Sequence, residues 1–486
     1  MLANFSERNK ATKAKASRNI RKGKLREPLN TDFSSNHVVQ RAVGFEVEFC
    51  NWYVAEALSQ EAYDKYDFFY KNSRRLGKGR KILKNNRFML EGEDVDDSYS
   101  CMEIVSEPFS EDEEGFAEMM TFFQELKLFV EVLRQQYADD KVHDRPRSHL
   151  ACLEKAGLGQ LLMPMAVTMQ YSFSDNITIR PQSTMGVRMS KLFHFLRDIG
   201  VGYDDESRDE QARKHAGRVF TGQSNAKAYS YSTKTIGKAS MVSQLALSRY
   251  LKDTDGLEDL SDDFRGFFNL VVYYLIAGSR AIQQYPKAFT KVMARTDFAK
   301  MFQLLPEEEF TWFTKEGCQE WKNLIAILTD EEVFGVERKD WKDFEEVTGI
   351  EGFDSRIRHF SLENPFFSKG TYANRLMYDT PTYVMSQLTS GEWLKSIPEG
   401  RDLLTKKHYP NKGRAWRLFS LGSMHEHTDH DREGDLPIFE MRGFGSSADV
   451  VELADNLKKW YVYIHELNQG HDYKFGEDHP LLAAES

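Results

Sequence analysis

Alternating apolar and polar residues predict short strands that carry carboxylates among apolar neighbours. Residues 38–50 alternate through Glu46 and Glu48, and residues 100–105 and 436–442 show the same kind of pattern. Side chains of a strand point alternately to its two faces, so Glu46 and Glu48 are expected to share one face and their apolar neighbours the other. The pattern therefore predicts a sheet with one apolar and one acidic face.

The second and third of these segments add two more carboxylates and an arginine. Glu103 lies within the second segment, and Glu440 and Arg442 stand two positions apart in the third. A buried ionised carboxylate is costly unless a partner or a cation compensates it. Mg²⁺ prefers carboxylate oxygens and bridges them to substrate phosphates. The three segments together predict a divalent metal site.

A purely structural interpretation of each segment remains open. A Glu-x-Glu pair also occurs on ordinary surface strands, and Glu440 with Arg442 would also fit a cross-strand salt bridge. The metal hypothesis depends on the three segments meeting on one face of one sheet.

Helical periodicity predicts long amphipathic helices after the first strands. Apolar residues between 116 and 133 recur at helical spacing, and Ser110 with Glu113 predicts a capping box at the start of this helix. A strongly apolar pattern over residues 260–285 and a further periodic stretch over residues 447–467 predict two more helices.

The other segments predict a hairpin, further strands and a long loop. Residues 86–108 predict a hairpin around an acidic turn, and residues 164–180 predict one or two strands ending at Pro181. Residues 202–240 are polar and have no clear period, which predicts a long loop. Such loops in compact enzymes often act as lids or binding loops.

These elements divide the chain into five parts. The predicted parts are a basic flexible tail at residues 1–36, the first part of the sheet domain at 37–200, a polar loop or lid insertion at 201–260, a mainly helical subdomain at 261–400, and the last strands with the C-terminal helix at 401–486. The fold class is α+β, with a large helical insertion.

Composition narrows the class of protein. The chain has 486 residues, 41% of them hydrophobic, and a net charge of −10, which disfavours a protein whose whole surface binds nucleic acid. The four cysteines show no CxxC spacing, which indicates a reducing compartment. No apolar run reaches the ~20 residues that a membrane span needs. Because no Sec-type apolar segment is present, we expect a cytoplasmic protein or one delivered by another route.

Two polar segments have alternative interpretations. The basic, glycine-containing stretch that includes Lys78 and Arg80 fits either a surface loop or a contact to a nucleotide phosphate. The histidine and carboxylate cluster from His425 to Asp431 fits either a solvated loop or a compensating Zn²⁺ or Mn²⁺ site, although its spacing matches no defined zinc motif.

The segments around residues 44–49, 102–108 and 437–442, in this order and with a long helix after the second, resemble the putative amidoligase family of the glutamine synthetase-like superfamily. The resemblance covers residues 41–135 and 436–468, and it covers residues 164–190 more loosely. It implies a curved antiparallel sheet, forming a glutamine synthetase-like cup packed by helices, whose concave face binds metal and nucleotide. It also implies ATP and Mg²⁺, or Mn²⁺, as cofactors.

The resemblance assigns roles to individual residues. Glu46, Glu48, Glu103 and Glu440 resemble ligands of the metal or the metal–nucleotide complex, and Arg442 resembles the phosphate-binding arginine. Glu48, Glu440 and Arg442 are accordingly the expected catalytic residues. The family's mid-chain His-x-His strand is replaced by a segment without histidine, in which Arg180 and Gln182 are the candidate cofactor-binding residues.

The leading hypothesis is an ATP- and Mg²⁺-dependent ligase that joins a carboxylate to an amine through an acyl phosphate. Its partner would be a small molecule or a protein that carries these groups. A second hypothesis is a secreted effector or toxin that uses the same scaffold to modify a target protein. A third is a binding protein with a degenerate site, because the mid-chain histidines are missing.

Overall fold

The computed structural model describes residues 41–65, 73–74, 76–77, 79–94, 100–142, 147–170, 179–199, 226–254, 257–280, 292–334, 360–363, 389–405, 428–431, 434–442 and 450–471, and the single residues 444, 473, 479 and 482. The predicted basic tail, Lys78, residues 202–225 and residues 425–427 lie outside them.

The strands belong to a large sheet and a small one. In chain order they are β1 Ala42–Ala57, β2 Ser73–Arg74, β3 Arg80–Lys84, β4 Phe88–Asp94, β5 Ser100–Ser106, β6 Phe109–Ser110, β7 Arg147–His149, β8 Gln160–Leu161, β9 Ala166–Gln170, β10 Ile179–Gly186, β11 Val292–Ala294, β12 Asp429–Asp431, β13 Gly434–Leu436 and β14 Ile438–Met441.

The helices lie between the strands along the chain, and one follows the last strand. They are α1 Gln60–Lys65, α2 Glu113–Val142, α3 Ala151–Lys155, α4 Met189–Ile199, α5 Ala226–Asp253, α6 Asp262–Arg280, α7 Phe298–Phe302, α8 Glu307–Ile327, α9 Glu331–Phe334, α10 Ser390–Ser396 and α11 Val450–Gln469. Helix α8 is broken at residues 315–318, where the backbone leaves the helical conformation. No helix in the described ranges is long and apolar enough to cross a membrane.

The large sheet is antiparallel and open. Its order is β11-β14-β10-β1-β5-β4-β3-β8, with β2, β6 and β9 also pairing to β1, and β7 pairing to β9. All of its strand pairings among the described residues are antiparallel. Strands β12 and β13 form a separate two-stranded sheet. The predicted α+β class and antiparallel sheet are confirmed, whereas the cup-shaped curvature stays a prediction.

Aromatic side chains hold three helices against the apolar face of the sheet. Phe45 of β1 lies with its ring centroid 5.4 Å from that of Phe123 in α2. Phe195 of α4 lies 6.1 Å from Phe439 in β14 and 6.1 Å from Trp460 in α11. Each fully buried aromatic residue of this kind contributes roughly 1.5–3 kcal/mol. The helices thereby fix the strands whose alternate residues form the opposite, polar face.

The predicted loop over residues 202–240 is wrong from residue 226 onward, where α5 begins. Ile236, Ala239 and Val242 of α5 are buried and recur every three residues. Asn269 of α6 donates a hydrogen bond from Nδ2 to Ser240 Oγ at 3.0 Å. Tertiary packing against α6 therefore stabilises a helix that a sparse apolar pattern did not reveal.

The start of α2 also differs from the prediction. Ser110 ends strand β6, and the cap is Asp112, whose Oδ1 accepts a hydrogen bond from the backbone N–H of Gly115 at 2.8 Å. Ser110 Oγ donates to the same carboxylate at 2.7 Å. A carboxylate suits this position because it accepts hydrogen bonds from backbone donors and because its negative charge interacts favourably with the positive end of the helix dipole.

The strand predicted to end at Pro181 instead continues to Gly186 as β10. Pro181 lies opposite Val47 of β1, and the pairing of β10 with β14 begins only at Ser183. A proline has no N–H to donate, so it is tolerated where one side of the strand is not yet paired. The predicted hairpin (β4 and β5) and the last helix (α11) are confirmed.

Candidate functional site

Strand register brings most of the predicted site residues to one face of the sheet. Residues directly opposite each other in paired strands have side chains on the same face. Glu48 lies opposite both Glu103 and Arg180, Glu46 lies opposite Gln182, and Glu103 lies opposite Glu91. Thr184, which shares a face with Gln182, lies opposite Glu440. We call this surface the polar face, and its residues are Glu46, Glu48, Glu91, Glu103, Arg180, Gln182, Thr184, Arg295, Glu440 and Arg442.

Three carboxylates stand side by side across adjacent strands. Glu91 of β4, Glu103 of β5 and Glu48 of β1 form this carboxylate row. Directly opposite residues have Cβ atoms about 4.5–5.5 Å apart. Glu91 and Glu103 are buried and Glu48 is partly buried. Arg180 continues the row on β10, but its side chain is exposed.

Gln182 links the carboxylate row to its neighbours. Its Nε2 donates a hydrogen bond to Glu48 Oε1 at 2.7 Å. Its Oε1 is buried and accepts no hydrogen bond from the described residues. The amide nitrogen of Gln182 therefore orients Glu48, and the amide oxygen remains as a buried neutral acceptor on the polar face.

Glu440 lies between two guanidinium groups. Arg295 donates to Glu440 Oε2 from Nε at 2.6 Å and also from Nη2, and Arg442 donates from Nε to Oε1. Burial acts to raise the pKa of Glu440, but Arg295 and Arg442 outweigh it and lower the pKa to about 2. We call these three residues the arginine bridge. Glu440 is an anion at neutral pH, and its oxygens are engaged by the arginines.

The pKa of Glu46 is shifted in the opposite direction to that of Glu440. Burial, then the negative charge of Glu440 and to a smaller extent that of Glu48, raises the pKa of Glu46 to about 7, against the opposing effect of Arg442 and Arg295. Its Oε2 is buried and accepts no hydrogen bond from the described residues. Glu46 is therefore a buried carboxyl group with one oxygen that no donor of the described residues satisfies.

The polar face has more carboxylates than cations. Five carboxylates face three arginines, and two of those arginines are occupied by Glu440. The acceptor oxygens of Glu46 and Gln182 fit a hard cation such as Mg²⁺ or Mn²⁺, which takes carboxylate and amide oxygens. Among the described residues, however, no three His, Cys, Asp or Glu side chains are close enough together to hold a metal ion as they stand. The metal role of Glu46, Glu48, Glu103 and Glu440 therefore stays a prediction.

The structure does not bring all predicted residues together. Arg80 lies at the start of β3, opposite Gly92, on the face opposite to that of Glu91, and its side chain is exposed. The register therefore places Arg80 away from the polar face. Arg180 reaches the rim of that face, and Lys78 lies outside the described residues.

The sequence patterns did not identify two residues of the site. Arg295 belongs to none of the motifs described above, yet it is one of the two guanidinium groups on Glu440. Glu91 was included only in a hairpin, and the hairpin register places it beside Glu103. A register derived from the hairpin turn could have found Glu91. No periodic signal marks Arg295, because β11 has only three residues.

The segment that ends the His425–Asp431 cluster crosses one end of the polar face. Asp429 Oδ2 accepts a hydrogen bond from the backbone N–H of Ala42 at 3.1 Å. Gly186 lies two residues after Thr184, on the same face of β10, and it faces the same carboxylate. Asp429 therefore has a structural contact that ties β12 to the first residue of β1.

Replacing Gly186 by alanine is expected to lower the free energy of unfolding by about 1–3 kcal/mol, because overpacking forces neighbouring atoms apart. The new Cβ would lie 2.8 Å from Asp429 Oδ2 and 2.9 Å from Asp429 Cβ. Urea unfolding measures the change. Gly77→Ala is the matched control, since no atom lies within 4 Å of its added Cβ. Equal stabilities of the two variants would contradict the described contact.

Comparison with known proteins yields two similar structures and no sequence relative. No family model matches the chain, and no curated protein matches it. A Vibrio cholerae toxin from the MARTX/VgrG family is 13% identical, with a TM-score of 0.36 over 84% of this chain and 94% of that one. A glutamate-to-glutamine mutant of a VgrG Vibrio cholerae toxin ACD domain, in complex with ADP and Mn²⁺, is 13% identical, with a TM-score of 0.35 over 85% and 97%. Likeness at this level does not determine the function of this chain.

Proposed function

We propose that the polar face is the site of an ATP- and Mg²⁺-dependent ligase that joins a carboxylate to an amine. The observation that carries the proposal is the arrangement of strands β14, β10, β1, β5 and β4. It aligns buried carboxylates beside a pair of arginines on one face. A nucleotide triphosphate with a divalent cation matches this arrangement, because its phosphates are anionic and its cation needs oxygen ligands.

The acidic residues are assigned to the cation. Mg²⁺ is usually bound by one or two carboxylates together with water and substrate phosphates, so a closed set of three protein ligands is not required. Glu46 and Glu48 supply carboxylates from one strand face, Glu103 extends the set across β5, and Gln182 adds a neutral oxygen. Bound there, the cation would neutralise phosphate charge and offset the repulsion that raises the pKa of Glu46.

The arginine bridge is assigned to the anion. Arg442 presents a planar fork of donors, a geometry that suits a phosphoryl group. Glu440 fixes that fork through Oε1. In this structure Glu440 therefore positions Arg442, and its predicted contact with the cation would require one of the arginines to move away.

The proposed reaction has two group transfers. An oxygen of the substrate carboxylate attacks the γ-phosphorus of ATP, the bond to the β-phosphate oxygen breaks, and ADP leaves. The amine nitrogen then attacks the acyl carbon, the acyl C–O bond breaks, phosphate leaves, and the nitrogen loses a proton. Preorganised arginines stabilise the charge that develops on the phosphoryl oxygens.

Glu48→Gln is expected to weaken the affinity for Mn²⁺–ADP by at least about 10- to 100-fold, as loss of groups around a metal commonly does. The amide keeps an oxygen that can accept the hydrogen bond from Gln182. Calorimetric titration of ADP into protein with Mn²⁺ measures the affinity. Glu56→Gln is the control on the same strand, because Glu56 pairs with the exposed Arg74.

Activity assays separate the three hypotheses. Phosphate release that depends on a carboxylate and an amine supports the ligase. Release that depends only on an added protein, together with growth arrest on expression that Glu48→Gln relieves, supports an effector that modifies a target protein. Absence of Mn²⁺-dependent nucleotide binding in the unaltered chain would contradict both and support a degenerate binding protein.

A further inference from the structure

Arg295 is held rigidly at the edge of the sheet. Its backbone N–H donates to Ile438 O at 2.7 Å, and Thr296 Oγ1 accepts from the N–H of Ile438 at 2.8 Å. Asp297 then caps α7 by accepting from the N–H of Lys300 at 2.7 Å. On the other side, the N–H of Ala294 donates to Tyr274 OH at 2.7 Å. The backbone on both sides of Arg295 is fixed, and Glu440 holds its guanidinium on the polar face.

The guanidinium of Arg295 has a donor that Glu440 does not use. Nε and Nη2 both donate to Glu440 Oε2, whereas Nη1 is buried and has no hydrogen-bond partner among the described residues. The side chain of Arg295 is 5% exposed. A buried, unsatisfied donor on a charged group is costly to leave without a partner.

The arginine bridge also carries more positive than negative charge. One carboxylate, Glu440, is shared by Arg295 and Arg442. The charge of Arg442 is further balanced by Glu46 and Glu48, which act with Glu440 to raise its pKa against the opposing effect of burial. Glu46 also interacts electrostatically with Arg295, but no carboxylate oxygen of the described residues accepts a hydrogen bond from Arg295 Nη1. An oxyanion with more than one oxygen would satisfy Nη1 and balance the charge.

We propose that Arg295 and Arg442, held on the two oxygens of Glu440, form a paired-guanidinium clamp for one phosphoryl group. In the clamp Nη1 of Arg295 donates to a phosphoryl oxygen, and Glu440 is the positioning residue for both arginines. The inference rests on the proposed function for the identity of the phosphoryl group as that of a nucleotide. The clamp itself is a site for a phosphate-type oxyanion and does not require the carboxylates of Glu48 and Glu103.

Arg295→Met tests the clamp with inorganic pyrophosphate as the probe. Calorimetry without metal is expected to show affinity weakened roughly 10- to 100-fold, the range for loss of one charge-assisted hydrogen bond. The affinity for Mn²⁺ alone is expected not to fall, because the carboxylates remain and Glu440 loses one of the two arginines that engage it. A loss confined to the anion affinity distinguishes a contact with the ligand from general damage to the face.

Two further variants keep the test decisive even if Arg295→Met does not fold. Arg295→Lys keeps a charge for Glu440 but lacks the planar fork, so it is expected to fold and still to bind pyrophosphate more weakly than the unaltered chain. If Arg295→Met does not fold, Arg295→Lys shows whether Arg295 contacts the anion. Arg87→Met removes an arginine that pairs with Glu125 at 2.8 Å, away from the polar face, and is expected to leave the affinity unchanged.

The outcomes separate this inference from the proposed ligase. Unchanged pyrophosphate affinity in folded Arg295→Met or Arg295→Lys overturns the clamp, while Mn²⁺-dependent binding of ADP still supports the ligase. Arg295-dependent pyrophosphate binding without Mn²⁺-dependent binding of ADP supports the clamp and contradicts the ligase. A chain that binds neither ligand overturns both.

Discussion

Replacing Glu440 by glutamine is expected to lower the free energy of unfolding by about 3–5 kcal/mol, the range for breaking a buried ion pair from one side. The substitution keeps the size of the side chain but removes the charge that both arginines share. Arg295 is 5% exposed and Arg442 23% exposed. Neither side chain can recover full hydration without moving out of the polar face.

The pH dependence of this loss follows from the lowered pKa of Glu440. Its folded pKa of about 2 lies below the ordinary value of 4.5. A carboxylate of this kind stabilises the fold above the unfolded pKa, and its contribution is lost as the pH falls toward the folded pKa. In chains that also carry Glu46→Gln, which removes the coupled titration of Glu46, the difference in stability made by Glu440→Gln should therefore be constant above about pH 5 and shrink toward pH 2.

Urea unfolding at several pH values checks both the size and the direction. Glu125→Gln is the control, because Glu125 pairs with only one arginine and both side chains are partly exposed, so a loss below about 1 kcal/mol is expected. Adding Arg295→Met to Glu440→Gln removes one of the two uncompensated charges and should recover part of the stability. If Glu440→Gln were no more destabilising than Glu125→Gln, the arginine bridge would not contribute to folding.

The predicted acidic face could be derived from local sequence because each of its strands carries its own signal. Glu46 and Glu48 alternate with apolar residues, and Glu103 and Glu440 lie between apolar neighbours. Alternation determines which residues share a face of each strand. It does not determine which strands are neighbours, and the pairing of β1 with both β5 and β10 appears only in the structure.

The parts that could not be predicted depend on contacts between distant segments. Arg295 and Glu440 are 145 positions apart, and the strand that precedes Arg295 is only three residues long. Its partner, β14, begins only at Ile438. Helix α5 was missed for a related reason. Its first ten residues contain no Leu, Ile, Val, Met or Phe, and its buried positions begin only at Ile236, where the helix packs on α6.

The two buried carboxyl groups on neighbouring strands have opposite electrostatic roles. Glu440 is held as an anion by two arginines, and Glu46 is driven toward its neutral form by burial and by the charge of Glu440. The arginine bridge therefore helps to determine the protonation of Glu46. A divalent cation beside Glu46 would reverse this effect, because it favours the ionised carboxylate.

Replacing Glu46 by glutamine is expected to raise stability at pH 8 by on the order of 3 kcal/mol, when no divalent cation is present. The folded pKa of Glu46 is about 7 and its ordinary value is 4.5. The unfolded chain therefore releases this proton at lower pH than the folded chain does. Stability falls as the pH rises from about 4.5 through 7, and glutamine, which does not ionise, removes this fall.

Asp402→Asn is a matched control because the pKa of Asp402 is also raised to about 7, chiefly by burial. The oxygens of Asp402 accept hydrogen bonds from the N–H groups of Phe298 and Leu404 and from Trp393 Nε1. An amide group would place N–H donors against these donors, so Asp402→Asn should destabilise the fold by about 1–3 kcal/mol. Replacing two carboxyl groups with similar pKa values by amides is thus expected to change the stability in opposite directions. The reason is that Glu46 Oε2 accepts no hydrogen bond from the described residues, whereas both oxygens of Asp402 accept hydrogen bonds.

Adding Mn²⁺ provides the decisive comparison. The unaltered chain is expected to gain stability from Mn²⁺ increasingly as the pH rises through 7, because a cation binds the ionised form of Glu46 and releases its proton. Glu46→Gln should lose most of this gain while remaining the more stable protein in the presence of a chelator. Urea midpoints from pH 5 to 9, with Mn²⁺ and with chelator, measure both effects. If Mn²⁺ stabilised both chains equally, Glu46 would be a strained structural residue and the cation site would have to lie elsewhere.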